Sequence, residues 1–380
     1  MRYCRRCLLP SSKLYIAFDA DGICNACRAH ETKTAGGEGI DWPARARQFE
    51  ELIQWTLARR APYYDAVVPV SGGKDSITQV HYLRDRGLRI LAVNVDFGIK
   101  TEIGHRNLAR IPEMGASLVT YRPELELHRR LIRLGFEDYG SPELLCHPLL
   151  HAYPLHVALR FGVPLVLLGE NSAFEYGGEA ALAGADRISR KWFQKYAAMA
   201  GQDAGVISAR YEIPMERLKL YDFPDEIEAS GTRAVFTSHF FHWDSEAHFE
   251  IARRYGFKAL DVPFEGSYRT YVGIDEEITR LHHYMKFLKF GYGRATDHAC
   301  EDIRSGRLTR QAAKALVRRH DPEPVSEAFI DRFIAFAGLS RRHFDEVLDR
   351  WRNPDIWRHD TARGWYIPGY LEEERDQGHV

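Results

Sequence analysis

The sequence predicts an α/β fold in which a doubly wound, parallel five-stranded sheet lies between a small four-cysteine module and a helical C-terminal region. Three observations support this prediction. Two Cys-x-x-Cys pairs stand near the N-terminus, short apolar runs alternate with helical patterns from residue 66 to residue 240, and only helical periodicity follows residue 244. We expect boundaries of 1–40 for the cysteine module with its linker, 41–243 for the sheet domain and 244–380 for the helical domain.

The cysteine pairs, Cys4-x-x-Cys7 and Cys24-x-x-Cys27, have the spacing of a metal site. A two-residue spacer lets both thiolates of a pair face one ion, and two pairs complete the tetrahedral sulfur site that suits Zn²⁺. Because such a site leaves no open position for water, we predict a structural rather than a catalytic zinc. The alternatives are four unconnected thiols and a persulfide relay.

Short apolar runs that end in turn signals predict five strands. These strands span 66–70, 90–95, 117–121, 164–168 and 234–240. Helical periodicity predicts helices at 42–60, 76–86, 102–114, 124–134 and 148–161, and then at 274–290, 296–305, 310–319, 325–336 and 341–351. No strand is predicted after residue 244. Residues 32–39 have the composition of a flexible linker, and the polar tail 371–380 is expected to fray.

The composition is that of an ordinary globular protein. The chain has 380 residues, 45% of them hydrophobic, and its 52 Lys and Arg nearly balance its 53 Asp and Glu. This balance excludes a broad basic surface for nucleic acid, and no apolar run is long enough to cross a membrane. The N-terminus lacks the apolar core of a signal peptide, so we expect a cytoplasmic protein with no nucleic-acid partner and no membrane insertion.

The turn after the first strand has the composition of a phosphate-binding loop. It contains Ser71, Gly72, Gly73, Lys74, Asp75 and Ser76. The glycines leave no Cβ between the backbone and an anion, and the first-turn amides of the next helix carry the positive end of its dipole. The serines add hydroxyl donors, and the lysine adds a mobile charge. The alternative is an ordinary Gly-Gly turn.

Ligands of open α/β sheets bind beyond the carboxyl ends of the strands, which selects further candidates. Asp75 either holds Mg²⁺ or caps its helix, and the sequence does not choose between these roles. Asp96, after the second strand, is a candidate for ribose or metal binding; its alternative is a solvent-facing strand end. After the fourth strand, Gly169 permits close backbone approach and Glu170 is a candidate for Mg²⁺ binding or for polarising a substrate nitrogen. The alternative for Gly169-Glu170-Asn171 is a capping turn.

Two later motifs are candidates for substrate contacts. Glu175-Tyr176-Gly177-Gly178 either lines a substrate pocket or forms a plain glycine loop. In the run from Gly291 to Asp297, two glycines interrupt a helical pattern, which makes Arg294 a candidate anion clamp and Thr296 a candidate helix cap. Cys146 beside His147 is either a nucleophile or, as we favour, an inert buried thiol.

These motifs together carry a family resemblance. Ser71–Ser76 is similar to the PP-loop of the ATP pyrophosphatases, whose fold is of the adenine nucleotide α-hydrolase type, and it is not a Walker A loop. In combination with the four cysteines, Gly169-Glu170-Asn171, Glu175-Tyr176-Gly177, and the two runs Tyr292–Asp297 and Ile303–Arg307, it resembles the N-acetyl sugar amidotransferases of bacterial O-antigen and flagellin-glycan pathways. The resemblance extends to about Asp321, and the residues beyond it add little.

The resemblance implies an ATP- and Mg²⁺-dependent enzyme that adenylates the acetamido oxygen of a nucleotide-linked or nonulosonic N-acetyl sugar and then replaces it with ammonia. It places Lys74, Asp75 and Glu170 in catalysis. Nucleotide binding falls to Ser71, Gly72, Gly73, Lys74, Asp75, Ser76, Asp96 and Gly169, and substrate binding to Asn171, Glu175, Tyr176, Arg294 and Asp297. Because the chain has no G-x-C-x-G elbow, the resemblance also implies a separate glutaminase subunit, with a cyclase-like subunit helping to deliver ammonia.

Two rival interpretations remain open. A tRNA-thiolating PP-loop enzyme also combines zinc-binding cysteines with this loop, but Cys146 has no C-x-x-C partner and the charge is balanced. A non-catalytic zinc- and nucleotide-binding scaffold subunit is the alternative of another class, and the intact phosphate loop argues against it.

Overall fold

The computed structural model describes residues 1–34, 39–176, 178–198 and 201–372. Within them, five parallel strands form one sheet in the order β3-β2-β1-β4-β5. The strands are β1 (Ala66–Pro69), β2 (Ile90–Val95), β3 (Ser117–Tyr121), β4 (Leu165–Leu168) and β5 (Arg233–Phe236). The strand order changes direction between β1 and β4, as in doubly wound nucleotide-binding folds. The predicted fold class is confirmed.

Helices cover both faces of the sheet and continue beyond it. Up to residue 254 they are α1 (Asn25–Thr34), α2 (Trp42–Ala58), α3 (Lys74–Arg84), α4 (Glu102–Leu108), α5 (Arg110–Glu113), α6 (Leu125–Tyr139), α7 (Pro148–Phe161), α8 (Ser172–Glu175), α9 (Ala180–Ala183), α10 (Arg190–Trp192), α11 (Ala204–Tyr211), α12 (Met215–Leu218), α13 (Glu226–Ala229), α14 (Thr237–Phe240) and α15 (Ser245–Arg254). A π-helical turn spans Phe193–Ala197, and a 3₁₀ turn spans Lys219–Tyr221. The C-terminal region contains α16 (Ile278–Phe290), α17 (Arg294–Arg304), α18 (Arg310–His320), α19 (Glu327–Ala337) and α20 (Arg341–Trp351).

The central strands are apolar at successive positions because both faces of the sheet are covered. Every residue of β2 and β4 is buried, whereas every residue of β3, at the edge of the sheet, is exposed or half-buried. One core, which includes Phe49, Val80 and Ala252, covers one face. A second core, which includes Leu155 and Trp192, covers the other. This packing leaves the carboxyl ends of β1, β2 and β4 together at one edge.

Several element boundaries differ from the sequence prediction. The predicted helix 102–114 is divided at Ala109 into α4 and α5, because Pro112 has no N–H with which to continue the ladder. The predicted strand 234–240 ends at Phe236, where the Thr237 hydroxyl donates to the carbonyl of Leu168 and the chain turns into α14. Helix α6 continues to Tyr139 and stops at Gly140, whose φ is +56°.

The expectation of no strand after residue 244 was wrong. Two short antiparallel strands, β6 (Arg358–Asp360) and β7 (Gly364–Tyr366), form a hairpin near the C-terminus. They are exposed or half-buried and too short to show a two-residue hydrophobic repeat. Part of the predicted linker is helical, since α1 runs to Thr34; residues 35–38 and the tail from 373 lie outside the described residues.

The cysteine module packs against the helical region. Its four cysteines share a core with Ala299 and Cys300 of α17 and with Val317 of α18. The Leu8 amide donates to the thiol of Cys300 at 3.2 Å, and the Arg310 guanidinium donates to the carbonyl of Cys7 at 3.1 Å. The N-terminal module is therefore attached to a segment almost three hundred residues later in the chain.

Across the described residues, no helix combines the length and the apolar character that crossing a bilayer requires.

Candidate active site

The loop between β1 and α3 is preorganised around its two serines. The Ser71 amide donates to Oγ of Ser76 at 2.9 Å, and the Gly73 amide donates to Oγ of Ser71 at 3.3 Å. No side chain caps α3, whose N-cap residue is Gly73. The first-turn amides of this eleven-residue helix are therefore available to an anion.

Three backbone segments meet closely behind this loop. At Gly72, where φ is +99°, an added Cβ would overlap the carbonyl oxygen of Gly104 in α4. At Gly104, a Cβ would lie 2.5 Å from the carbonyl oxygen of Asp275. The Lys100 ammonium adds a contact by donating to the carbonyl of Ser71 at 2.7 Å. The phosphate loop is thus fixed in place by α4 and by the segment that precedes α16.

Asp75 joins the loop to a residue that the sequence analysis did not identify. Its Oδ2 accepts from the Lys74 ammonium at 2.8 Å, and its Oδ1 lies 2.7 Å from Nδ1 of His248 in α15. Burial alone would raise the pKa of Asp75, but Lys74 and His248 outweigh it and hold the pKa below its usual value. Asp75 is therefore a carboxylate with a defined orientation.

A cavity of about 310 Å³ opens at the carboxyl ends of β1, β2 and β4. We call it the sheet-edge cavity. Its lining includes Ser71, Asp75 and Ser76 from the phosphate loop and Gly169 and Glu170 from the turn after β4. Every lining residue falls between Pro69 and Ser172, so the sheet domain alone builds this cavity. The position is the ligand site expected of a doubly wound sheet.

A second cavity, of about 390 Å³, lies where three regions of the chain meet, and we call it the junction cavity. The cysteine module contributes Lys13, His30 and Lys33. The sheet domain contributes residues of its phosphate loop, of 170–176 and of 242–245. One face of α17 supplies Arg294, Asp297, His298, Glu301 and Arg304, which follow the helical repeat.

The two cavities share Asp75 and Glu170 as a common wall. Burial and the nearby charge of Asp75 raise the pKa of Glu170. Two carboxylates that repel each other at the boundary of two cavities form an oxygen donor set of the kind that Mg²⁺ prefers. The residues present therefore fit a magnesium ion at this wall.

Six residues that line the junction cavity carry a buried polar atom without a protein partner. The atoms are Oε1 of Glu175, Nε2 of His242, Nδ1 of His283, Nε of Arg294, Nε2 of His298 and Nη1 of Arg304. Burial lowers the pKa of His30 to about 4 and that of His282 to about 3, and it lowers the pKa values of His242, His283 and His298 as well. The cavity thus presents neutral imidazoles, which both donate and accept, to a polar ligand.

Glu175 and Tyr176, both predicted to bind substrate, line the junction cavity. One carboxylate oxygen of Glu175 is paired with the Lys33 ammonium, whose side chain is only 6% exposed. Lys33 also lies 4.3 Å from the ring centroid of Phe174. Burial raises the pKa of Glu175 to about 7, against the opposing effect of Lys33. Gly177 of the same motif lies outside the described residues.

Arg294 and Asp297 also line the junction cavity, at the beginning of α17. Asp297 pairs with the Lys286 ammonium, and Arg294 lies 3.8 Å from the same carboxylate. The expectation that Thr296 caps this helix needs correction. Asp321 is the capping group, since its carboxylate accepts from the amides of Gly293 and Thr296 at 2.8 and 3.1 Å and from the Thr296 hydroxyl.

Two predicted site residues lie elsewhere. Asp96 follows β2, but its carboxylate accepts from the Gly98 amide at 2.8 Å and from Arg122 at 2.6 Å, and it lines neither cavity. Asn171 is buried outside both cavities. Its amide donates to the carbonyl of Leu182 at 2.9 Å, and its oxygen accepts from the Trp192 indole at 2.9 Å. Its geometry is that of the capping turn left open by the sequence.

Cys146 is fully buried, with its thiol 3.3 Å from the carbonyl of Glu143. Burial raises its pKa well above the usual thiol value. It lines neither cavity, whereas the adjacent His147 lines the sheet-edge cavity. This environment is that of an inert thiol.

The four N-terminal cysteines are brought together as their spacing indicates. All are buried, and their sulfur atoms lie within 4.8 Å of one another. The Cys4–Cys27 and Cys7–Cys24 sulfur distances are 4.0 and 3.7 Å. Tetrahedral zinc with bonds of about 2.3 Å separates its sulfur ligands by roughly 3.8 Å, so the cluster fits zinc. The Cys24 amide also donates to Sγ of Cys4 at 3.2 Å, as expected around a thiolate.

Comparison with known proteins identifies the region that supplies α17. Residues 265–368 match the family model described as "LPS biosynthesis protein WbpG-like, C-terminal domain". The family resemblance found in the sequence is confirmed. The WbpG-like segment, residues 265–368, continues well past Asp321, so the part of the chain that added little to the sequence resemblance belongs to the matched region. It contains the lining residues of the junction cavity from Arg269 to Ser305.

More distant similarity adds nothing to this assignment. None of the curated proteins is a significant match to the sequence. A solved NMN synthetase from Francisella tularensis aligns over 80% of this chain and 95% of its own, with 12% identity and a TM-score of 0.33. An NAD⁺ synthetase from Burkholderia pseudomallei aligns over 61% of this chain and 94% of its own, with 17% identity and a TM-score of 0.27.

The sequence analysis missed the residues that reach the site from distant parts of the chain. They are Lys13, Lys33, His248, Arg269 and Arg304, together with the histidines of the junction cavity. Of these residues, only Arg304 belongs to a motif used in the sequence analysis, the run from Ile303 to Arg307, and that motif gave it no role. A second signal was the period of α17, in which positions 294, 297, 298, 301 and 304 share one polar face.

Proposed function

We propose that this protein is an ATP-dependent amidotransferase that acts on an N-acetyl sugar for lipopolysaccharide or related surface-glycan synthesis. The acetamido oxygen attacks the α-phosphorus of ATP, and the bond from that phosphorus to pyrophosphate breaks with its electron pair. Ammonia then adds to the carbon of the O-adenylated imidate, and AMP departs with the carbon–oxygen electron pair. An acetamidino group remains. The observation that carries this proposal is the wall of Asp75 and Glu170 shared by two cavities.

The sheet-edge cavity suits ATP. Its phosphate end is the serine loop, where the first-turn amides of α3 have no side-chain cap and supply positive charge. The Lys74 ammonium lines the junction cavity, 2.8 Å from Asp75 at the shared wall. Other lining residues of the sheet-edge cavity include Val93, Val95 and Leu168, which offer apolar surface to a base and ribose. A nucleotide in this orientation presents its phosphates to the shared wall, where the junction cavity begins.

Mg²⁺ would be held by Asp75 and Glu170, and it would neutralise charge that develops on the phosphates. Lys74 has an ammonium already 2.8 Å from Asp75, and we expect it to follow the pyrophosphate as the leaving group. His248 keeps Asp75 in one orientation through the 2.7 Å contact with Nδ1. These side chains supply the preorganised charge that an amide, a poor electrophile, requires for activation.

The junction cavity suits a polar, sugar-like acceptor. Its unpartnered imidazole, guanidinium and carboxylate atoms are costly to bury unless a ligand supplies partners. A sugar with acetamido and hydroxyl groups provides both donors and acceptors. The WbpG-like segment, whose family name refers to lipopolysaccharide biosynthesis, lines much of this cavity, which supports a glycan precursor as the acceptor.

Ammonia is proposed to come from a separate glutaminase subunit, with a cyclase-like subunit assisting delivery. Ammonia is largely protonated at neutral pH, so a local supply would raise the concentration of the nucleophile. All six cysteines of the chain are buried, and four of them form the metal cluster. We therefore expect glutamine to fail and high ammonium to succeed as nitrogen source for the isolated chain.

The test is a reconstitution with candidate diacetamido sugars, ATP, Mg²⁺ and ammonium. Mass spectrometry should show a product lighter than the acceptor by the exchange of O for NH, with AMP and pyrophosphate formed in equal amounts. Lys74→Ala and Ser76→Ala should abolish both products without changing the zinc content. Release of AMP without amidine, or activity that survives both substitutions, would overturn the proposal.

A further inference from the structure

Six carboxylates line the junction cavity, and one of them has a buried oxygen without a partner. The six are Asp75, Glu170, Glu175, Asp244, Asp297 and Glu301. Within the part of the chain that the structure describes, Glu175 is the only one of them with such an atom, its Oε1. A buried acceptor left unpaired costs free energy, so its presence in a cavity points to a ligand that supplies the missing donor.

The other oxygen of Glu175 is held by a lysine. Oε2 is paired with the Lys33 ammonium, and the side chains of Glu175 and Lys33 are only 7% and 6% exposed. The ammonium also lies 4.3 Å from the ring centroid of Phe174. Because Lys33 comes from α1 and Glu175 ends α8, the pair joins the cysteine module to the sheet domain. The carboxylate is thus oriented through one oxygen, while the second is uncommitted.

Glu175 lies close to the wall that the two cavities share. Helix α8 begins directly after the turn that contains Glu170, and only five positions separate the two glutamates. The charge of Glu170 contributes to raising the pKa of Glu175, so the two carboxylates interact. In the proposed reaction the O-adenylated imidate forms at the shared wall. Glu175 is therefore near the carbon that ammonia attacks.

The amidation step requires a proton acceptor at this place. Ammonia that has added to the imidate carbon carries a positive charge, and its nitrogen has no lone pair to expel AMP until a proton leaves. The imidazoles of the cavity are poor acceptors at neutral pH, since burial lowers the pKa of His30 to about 4 and that of His282 to about 3. The pKa of Glu175, about 7, is that of an efficient base at neutral pH.

We propose that Glu175 is the general base of the amidation step, with Lys33 as the residue that positions it. The imidate is still protonated on the sugar nitrogen. The lone pair of ammonia forms a bond to the imidate carbon, the C=N electron pair moves to the sugar nitrogen, and one N–H proton of the added nitrogen moves to Oε1 of Glu175. The lone pair left on that nitrogen forms the new C=N bond as the carbon–oxygen pair leaves with AMP. Glu175 then releases its proton to water.

This inference rests on the proposed function and deepens it, because it assigns a role within the same reaction. The sequence resemblance gives Glu175 a different role, in substrate binding. A carboxylate that only bound the acceptor would affect adenylation and amidation alike. A general base of amidation is needed only after the adenylated intermediate has formed, so the two roles differ in the step that a substitution slows.

The experiment compares the two steps in Glu175→Gln, as a full-length, zinc-loaded chain. The acceptor is the diacetamido sugar that the unmodified chain converts. Exchange of labelled pyrophosphate into ATP, with acceptor but without ammonium, measures adenylation, and mass spectrometry of the amidine measures the complete reaction. Glutamine keeps an oxygen to which Lys33 can donate, so we expect exchange to persist. Amidine formation should fall about a hundredfold to ten-thousandfold, the usual effect of losing a general base.

Hydroxylamine in place of ammonium gives a second measurement on the same variant. The nitrogen that hydroxylamine adds is more acidic than that of ammonia and depends less on a base. The defect of Glu175→Gln should therefore shrink by about tenfold or more with hydroxylamine. The matched control is Glu179→Gln, which removes another glutamate paired with a lysine, Lys195, from the same segment. Glu179 lines neither cavity, and its substitution should leave both steps unchanged.

Two results would overturn the assignment of Glu175. One is amidine formation that survives Glu175→Gln, and the other is a parallel loss of pyrophosphate exchange and amidine. A defect of equal size with ammonium and hydroxylamine would also contradict a role in proton transfer. If the unmodified chain converts none of the diacetamido sugars, the proposed function itself fails, and that result is distinct from a failure of Glu175→Gln to slow an active enzyme.

Discussion

Nδ1 of His248 lies 2.7 Å from Oδ1 of Asp75, and this contact joins helix α15 to the phosphate loop at the beginning of α3. His248 is only 1% exposed, and its Nε2 has no protein partner. The imidazole therefore determines where the Asp75 carboxylate points. Because Asp75 lines both cavities, its orientation bears on the proposed nucleotide site and the proposed acceptor site together.

Substitution His248→Gln is expected to lower ATP-dependent turnover about tenfold to a hundredfold, the usual effect of removing a residue that orients a metal-binding carboxylate. The Mg²⁺ concentration needed for half-maximal rate should rise, because Asp75 would no longer be held in one orientation. The measurement is pyrophosphate release at varied Mg²⁺. His81→Gln is the matched control, since His81 also joins α3 to the end of α15, through a 2.6 Å contact with the Tyr255 hydroxyl. An equal loss in both variants would show that helix packing alone is responsible.

Removal of metal from the cysteine cluster should weaken ligand binding in the junction cavity without weakening it in the sheet-edge cavity. Cys27→Ser, or treatment with a strong chelator, is expected to unfold the module locally, because metal binding and folding are coupled in such sites. The junction cavity would lose Lys13, His30 and Lys33, whereas the sheet-edge cavity takes no residue from the module. Acceptor affinity should therefore fall about tenfold or more while binding of a non-hydrolysable ATP analogue changes little. Parallel loss of nucleotide binding would contradict this division.

Glu143 should make the protein less stable as pH rises from acidic to neutral. Burial raises its pKa to about 7, against the hydrogen bond that its carboxylate accepts from Thr279 at 2.8 Å. The folded state then holds a proton that the unfolded chain releases near pH 4.5. The stabilising contribution is complete below that pH and is lost as pH rises through about 7, for a total of roughly 3 kcal/mol.

Urea unfolding of the chain between pH 4.5 and 8 measures this effect. Glu143→Gln, which keeps the shape and cannot ionise, should flatten that part of the stability profile. Glu126→Gln removes an exposed carboxylate from α6 and serves as the control. If the unmodified chain and Glu143→Gln keep the same pH dependence, Glu143 does not bind the proton.

Gly104→Ala tests the close backbone approach behind the phosphate loop. Helix propensity alone would favour alanine in α4 by up to about 1 kcal/mol. The added Cβ would, however, lie 2.5 Å from the carbonyl oxygen of Asp275, and we expect a net destabilisation of about 1–3 kcal/mol with weaker ATP binding. Gly205→Ala in α11 is the control, because its nearest neighbour would be an Asp203 oxygen at 3.4 Å. A Gly104→Ala chain as stable as Gly205→Ala would contradict the contact.

The sheet was predictable because each strand carries its own signal. β2 and β3 have the predicted bounds, and β1 and β4 differ by one residue at one end, since consecutive apolar residues between turn signals leave little ambiguity. The end of β5 was not predictable, because the turn at Phe236 depends on a hydrogen bond from Thr237 to another strand. The β6–β7 hairpin was missed because its strands are three residues long and have no buried side chains, so they show no alternation of apolar and polar residues.

The candidate site was predictable only where its residues are contiguous. Most of the predicted residues line a cavity, and each belongs to a glycine-containing motif: Ser71, Lys74, Asp75, Ser76, Gly169, Glu170, Glu175, Tyr176, Arg294 and Asp297. Gly72 and Gly73 of the phosphate loop line neither cavity. Asp96 and Asn171 follow the carboxyl ends of strands, as the sequence analysis expected. Their polar atoms, however, bind Arg122 and Trp192, which are more than twenty residues away in sequence, and so they do not line a cavity. His248 and Arg304 lie on helices with ordinary surface-like sequences, and only tertiary packing turns them toward the site.

The two cavities are lined largely by different regions of the chain, so substitutions can change one cavity without changing the lining of the other. All lining residues of the sheet-edge cavity fall between residues 69 and 172, whereas most lining residues of the junction cavity come from regions before and after that stretch. Under the proposed function, substitutions of junction-cavity residues in the WbpG-like segment or the cysteine module can therefore alter which acceptor binds while the lining of the sheet-edge cavity stays the same. We therefore expect related chains to differ more in the lining of the junction cavity than in the lining of the sheet-edge cavity.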